Sequence, residues 1–251
     1  MWGSPYVSLA RPNKFSADSE GDGVEQRALQ CLARGEMDQA VGELQKSGRQ
    51  TARHYVLLGE ARRLAGEPDR ALEDFRVALS TPGNDQVAGA AYYSRGLCFM
   101  SLGEWYAAAE NFMQSAPGGD LSAAALVSIG TCSRRLGDTD RGLQFFSKAL
   151  ELEPEHSHAR MCRAELLESL ANTASAAEDY RHLLQHDPNF CATYLREAYI
   201  AVANGDLQES AAVCDGMLRL LAHAEESAPD YAYFEAQRTQ FEALLRQSVQ
   251  Q

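Results

Sequence analysis

Five glycines recur at a spacing that few folds can use. Gly35, Gly66, Gly103, Gly137 and Gly205 follow one another at intervals of 31, 37 and 34, and then 68, which is twice 34. Pro154 and Pro188, again 34 apart, mark a copy inside the long gap, with Ala171 where its glycine would stand. The surrounding phrases match as well: "ARGEMDQAVGELQKS", "LAGEPDRALEDFRVAL" and "LGDTDRGLQFFSKALELEP" keep glycine, acid and small residue in one order. A constant period of this length marks a repeat architecture, in which one unit cannot bury its own apolar face and needs similar neighbours. Six copies are expected, starting near residues 21, 52, 89, 123, 157 and 191.

Each copy reads as two helices. In the first, a large residue precedes a small one by four positions: Tyr55 and Gly59, Tyr92 and Gly96, Leu126 and Gly130, Tyr194 and Ala198. The small residue lets the helices of a pair approach closely. The second helix carries Ala40, Ala71, Ala108, Gly142 and Ala176 at its small position, with Leu44, Phe75, Phe112, Phe146 and Tyr180 one turn later on the same face. Asp38, Asp69 and Asp140 stand where the second helix is expected to start, as candidate N-caps. The sixth copy departs most, with Ser210 and Cys214 at these two positions.

Over roughly residues 21–224 this pattern resembles the tetratricopeptide repeat (TPR) family. The resemblance implies an all-α fold, a right-handed α-solenoid of about six TPR-type helix pairs over 23–226. A further helix is expected over 229–251, where "PDYAYFEAQRTQFEALLRQSVQQ" opens on a start signal and carries an apolar stripe. It is expected to cap the last repeat, or alternatively to dock on a second copy or another protein. Residues 1–22 lack helical period and end in "DSEGDG", which predicts a flexible N-terminal arm. Trp2, Tyr6, Val7, Leu9 and Phe15 leave open an extended arm lying in a groove, its own or a partner's.

The remaining chemistry is sparse. The formal charge of −12 opposes nucleic acid, whose binding needs a basic face. No apolar run reaches membrane-spanning length, so no membrane insertion is expected. Six scattered cysteines without a C-x-x-C pair are expected to be reduced and buried, and since the opening "MWGSPYVSLARPNKF" does not read as a secretory signal, a cytoplasmic location is expected. An N-terminus without acids before Asp18 keeps a mitochondrial-targeting reading open. No phosphate-cradling loop, G-x-S-x-G elbow or H-E-x-x-H motif is present. His182 and His186, one turn apart with Glu178 a turn earlier, are the best metal candidates, but they fall where a solvent-facing polar surface is expected. No enzyme activity, cofactor or metal is therefore expected.

In the family, the inner wall of the superhelix is built from the first helix of every unit and binds a peptide. Carried over position by position, that wall takes Val56, Leu57, Glu60 and Arg63 from the second unit, and Tyr93, Leu97 and Met100 from the third. Val127, Thr131 and Arg134 come from the fourth, Met161 from the fifth, and Leu195, Arg196 and Tyr199 from the sixth. It is an apolar wall, and apolar surface gains about 25 cal/mol per Å² when covered. The lysine–asparagine clamp that grips Hsp70 and Hsp90 tails is absent: Val56, Glu60, Tyr93, Leu97, Val127 and Thr131 hold its positions. The resemblance thus implies a non-catalytic adaptor receiving a hydrophobic peptide or amphipathic helix of a partner protein. The alternative is a structural subunit or assembly factor docking through its outer face and N-terminal arm.

Overall fold

The computed structural model describes residues 23–249 apart from 49, 86, 117, 187–190, 192–193, 195–197, 199–200, 203–205 and 224–230. The N-terminal arm and three of the expected wall residues, Leu195, Arg196 and Tyr199, lie outside the described residues. Regular structure among the described residues is helical throughout. Five pairs come first: α1 (Gly23–Arg34) with α2 (Met37–Lys46), α3 (Ala52–Leu64) with α4 (Pro68–Ser80), α5 (Ala88–Ser101) with α6 (Trp105–Gln114), α7 (Ala123–Arg135) with α8 (Thr139–Leu152), and α9 (Ser157–Ser169) with α10 (Thr173–His186). They are followed by α11 (Leu207–Leu221) and α12 (Tyr231–Val249). The first helices of these five pairs begin at residues 23, 52, 88, 123 and 157, and the sixth expected start, near 191, falls in a stretch mostly outside the described residues.

The recurring glycines turn each pair. Gly35, Gly66, Gly103 and Gly137 have φ of 77°, 80°, 78° and 83°, the left-handed region that only glycine enters without strain. Each turn makes the same two bonds: Gly35 N–H donates to Leu32 O and Glu36 N–H to Cys31 O, and this pairing repeats at Gly66/Glu67, Gly103/Glu104 and Gly137/Asp138. These are Schellman motifs, which satisfy the last carbonyls of one helix while reversing the chain. Ala171 and Asn172 make the same bonds with φ of 60° at the alanine. The backbone has kept its turn without its glycine, at a steric cost. Ala171→Gly is therefore expected to raise stability by about 1 kcal/mol, read as a higher denaturant midpoint; an unchanged or lower midpoint would show that the turn carries no strain.

The caps differ from expectation. Asp38, Asp69 and Asp140 lie inside the first turn, where their charge complements the helix dipole. The flanking residues of α2 and α4 are Glu36 and Glu67, which make no side-chain cap, and at α8 it is Asp138 that accepts from the Arg141 N–H. A capping side chain must sit just outside the helix, and the tight glycine turn pulls the helix start to within two residues of itself. Side-chain caps instead begin three first helices: Thr51 accepts from His54 N–H, Ser122 from Ala125 N–H and the His156 ring from Ala159 N–H.

The helices fall into two compact units, one ending at Gly142 and the other beginning at Leu143, within α8. In the first, α1 to α7 each pack on the next, and α3 also touches both α1 and α5. Helices α1, α3 and α5 thus make a layer of their own among the odd-numbered helices. The alanines and aromatics at the repeated positions are its core: Ala40, Ala71, Ala108, Leu44, Phe75 and Phe112 are fully buried. A Cβ at Gly59 would stand 2.7 Å from Phe75, and one at Gly96 2.8 Å from Phe112, which explains the small residue of the first helix. In the second unit α10 packs on α9 and α11, and α11 packs on α12. Phe234, Phe241 and Leu244 of α12 join Met217, Leu220 and Leu221 in one apolar cluster with Tyr180.

Candidate functional site

A polar seam, invisible in the apolar pattern, ties first helices to second ones. Arg27 donates to Glu43, Arg62 to Asp74 in a two-pronged contact, Arg95 to Asn111, and Arg163 to Asp179. In every case the acceptor immediately precedes the repeated large residue, Leu44, Phe75, Phe112 or Tyr180. Three of the four pairs are 16 residues apart, a spacing the sequence displays once one knows to look. The fourth repeat has the apolar residues Ile129 and Phe145 at these two positions of the sequence.

Burial makes the Arg62–Asp74 contact sensitive to pH. At Asp74 loss of water pushes the carboxyl up to about 6, against the pull of Arg62. The folded state therefore holds the Asp74 proton more tightly than the unfolded chain, whose aspartates titrate near 3.9. Its contribution favours the fold at low pH and is lost as pH rises from about 4 through about 6. The Asp74→Asn variant is expected to show a flatter stability profile than wild type between about pH 4 and 7; parallel profiles would remove Asp74 as the cause.

The odd-numbered layer of the first unit carries the expected wall, and the structure divides its members. Val56, Leu57 and Val127 are almost fully buried. Val56 packs with Phe75, Ala91 and Cys98, and Leu57 with Ala28 and Leu44. Val56 and Leu57 are core rather than lining, because α3 has neighbours on both sides within its own layer. Met161, in the second unit, likewise belongs to the apolar cluster around Tyr180. The remaining members keep part of their surface. Glu60, Arg63, Tyr93, Leu97, Met100, Thr131 and Arg134 are half-buried.

Three of these form a charged and phenolic cluster. Arg63 donates to Glu60 at 2.8 Å, with each side chain less than a fifth exposed. Tyr93 lies close enough to feel both charges, and its ring meets Phe112 edge-on at 5.3 Å. Burial raises the Tyr93 pKa, while the Ser128 hydroxyl of α7 and the Arg63 charge pull the other way. The Arg63 Nε is buried without a hydrogen-bond partner, and the buried Tyr93 hydroxyl faces the Ser128 hydroxyl. Leu97 and Met100 continue along the same helix, α5. Thr131 turns its hydroxyl back to the Val127 carbonyl at 2.9 Å, so its polar atom is taken up by its own helix. The sequence named all of these residues but gave no sign that Glu60, Arg63 and Tyr93 act together.

Among the described residues, no three His, Cys, Asp or Glu side chains are placed to hold a metal ion, and no helix is long and apolar enough to cross a membrane. The six cysteines are thiols, all but Cys31 buried. Burial pushes Cys98 and Cys132 up to about 12 and Cys214 up to about 11, so these three stay protonated and unreactive at neutral pH.

A family model described as tetratricopeptide repeat matches residues 133–189. No curated protein matches the sequence. Among solved structures, MamA 41-end from Desulfovibrio magneticus RS-1 aligns at 18% identity with a TM-score of 0.59, over 68% of this chain and 99% of that one. PilF of Pseudomonas aeruginosa aligns at 19% identity with a TM-score of 0.58, over 92% of this chain and 98% of the other. At such identities the likeness is one of fold.

Proposed function

Since the chain is a tetratricopeptide repeat protein, built from interaction modules, we propose that it is a non-catalytic adaptor that takes a peptide or helix of another protein on the odd-numbered wall of its first unit. The observation that carries this reading is the pairing of half-buried apolar side chains, Leu97 and Met100, with a buried donor that has no acceptor, Arg63 Nε, beside the buried Tyr93 hydroxyl. A buried donor without an acceptor costs about 1–3 kcal/mol, and a ligand carbonyl or carboxylate would recover it. Leu97 and Met100 then supply the apolar anchor beside it. Arg134 extends the wall on α7.

Selection of binders from a displayed random-peptide library tests this. Wild type is expected to enrich peptides with an apolar residue beside an acidic or carbonyl-rich stretch, and Leu97→Glu to lose them. Tyr93→Phe keeps the packing on Phe112 and removes only the donor, so it should weaken the same peptides by about 5–10-fold. Enrichment that survives both changes would move binding off this wall. An outer-face reading rests on Tyr106, 69% exposed on α6, and Met113, 40% exposed two turns later. If these residues dock the chain in a larger complex, Tyr106→Ala should release it while leaving peptide selection unchanged.

A further inference from the structure

The first helix pair carries a groove of about 710 Å³ between α1 and α2, away from the wall. Cys31 and Gly42 lie in it among charged residues that include Arg34, Glu36 and Asp38. Gly42 breaks the rule of the repeat. It stands two residues after the small position of the second helix, where the other pairs carry Glu73, Glu110, Gln144 and Glu178. A glycine in the middle of a helix weakens it, and a Cβ at Gly42 would meet nothing within 4 Å. The packing of the helices therefore does not ask for this glycine. What it does provide is bare backbone in the groove, which another stretch of chain can approach closely.

The sequence that leads into α1 has the length and the charge to fill this space. α1 begins at Gly23, and Phe15 precedes it by eight residues, a reach of up to about 26 Å. Cys31 lies only about 12 Å along the helix from Gly23. Gly21 and Gly23 allow the chain to reverse there, so that "SLARPNKF", residues 8–15, can run back along α1. Pro12 disfavours helix at Arg11 and suits an extended run. Arg11 and Lys14 are basic, and no acid precedes Asp18. In the groove, Arg27 and Lys46 are both taken up by Glu43. Glu36 and Asp38, past the end of α1, make no ion pair among the described residues and face the single charge of Arg34.

We propose that residues 8–15 fold back into the α1–α2 groove of their own chain, with Phe15 over Cys31 and Gly42, and with Arg11 and Lys14 on Glu36 and Asp38. The direction is consistent, because a segment returning along α1 presents Phe15 before Lys14 and Arg11 as it nears Glu36. A short tether holds the segment at an effective concentration in the millimolar range, so one covered ring and two charge pairs are enough to keep it seated. The arm then completes the first helix pair, and Gly42 is the residue that makes room for it.

Alkylation of the native full-length chain with iodoacetamide, read at each cysteine by peptide mass spectrometry, tests the proposal. Cys31 is the one thiol of the six that is not buried, and it should react on the order of tenfold faster in Phe15→Asp than in wild type. A smaller acceleration is expected when Arg11 and Lys14 are both changed to Glu. The five buried thiols, slow in every variant, show that the fold is intact. Gly42→Gln gives a second readout. In an empty groove the better helix former raises the denaturant midpoint. With the arm seated, the new side chain collides with it, so the midpoint should fall in the wild-type background and rise in the Phe15→Asp background. Equal Cys31 rates in wild type and Phe15→Asp would overturn the proposal, as would a higher midpoint for Gly42→Gln in both backgrounds. Protection of Cys31 that grows with protein concentration would assign the groove to the arm of a second copy, and would overturn it too.

Discussion

Phe112→Ala is expected to lower the stability of the unit ending at Gly142 by about 3–5 kcal/mol. The ring is fully buried, meets Tyr93 edge-on, and fills the space in front of Gly96. Its removal forfeits both transfer energy and contacts, since the helices on either side cannot collapse into a ring-sized void. Gly96→Ala, made alone, sets a methyl 2.8 Å from that ring and should cost about 1–3 kcal/mol. Combined, the two changes should be less harmful than their sum, because the alanine methyl then enters space the ring has left. A denaturant-unfolding cycle would show this as a coupling of at least about 1 kcal/mol. Strict additivity would mean that Gly96 is small for a reason other than Phe112.

Asp179→Ala is the second large effect, expected to destabilise the unit beginning at Leu143 by about 3–5 kcal/mol. The Asp179 side chain is 4% exposed and accepts from Arg163 at 2.7 Å and from Arg160 at 3.3 Å. Its loss would leave two guanidinium groups in a largely dry seam with one acceptor fewer. The attraction within such a pair roughly offsets its desolvation, so replacing the pair differs from breaking it. Arg163→Met with Asp179→Leu should recover much of the loss, as the fourth repeat indicates by carrying Ile129 and Phe145 at the matching positions. Equal damage from the single and double changes would show that the charges themselves hold the joint.

Much of this was legible before any coordinate. The period located the helix pairs because a turn of positive φ admits glycine almost alone, so its recurrence is written directly in the residues. Phe75, Phe112 and Tyr180 were identifiable as core for a similar reason, since a small residue one layer away is the only way to seat a large ring. The candidate wall was legible only in part. Val56, Leu57 and Val127 share a helical face with Glu60, Tyr93 and Thr131 in the family's pattern, yet the first three are enclosed. Their enclosure depends on neighbours in the odd-numbered layer, and no single helix's periodicity records how far apart two others sit.

The caps and the seam teach the same distinction. Whether Asp38 or Glu36 precedes the first helical residue depends on a one-residue placement of the turn, below the reach of composition. The seam pairs residues 12 or 16 apart on different helices, and each member alone looks like surface charge. The sequence by itself determined the repeat, the all-α fold and its glycine turns, because these rest on local backbone and size constraints that each residue carries with it. Only the tertiary structure decided which apolar wall residues are core, and that Arg63, Tyr93 and Glu60 gather on one surface. Burial and pairing are properties of neighbours distant along the chain, and those neighbours are fixed only when the helices pack.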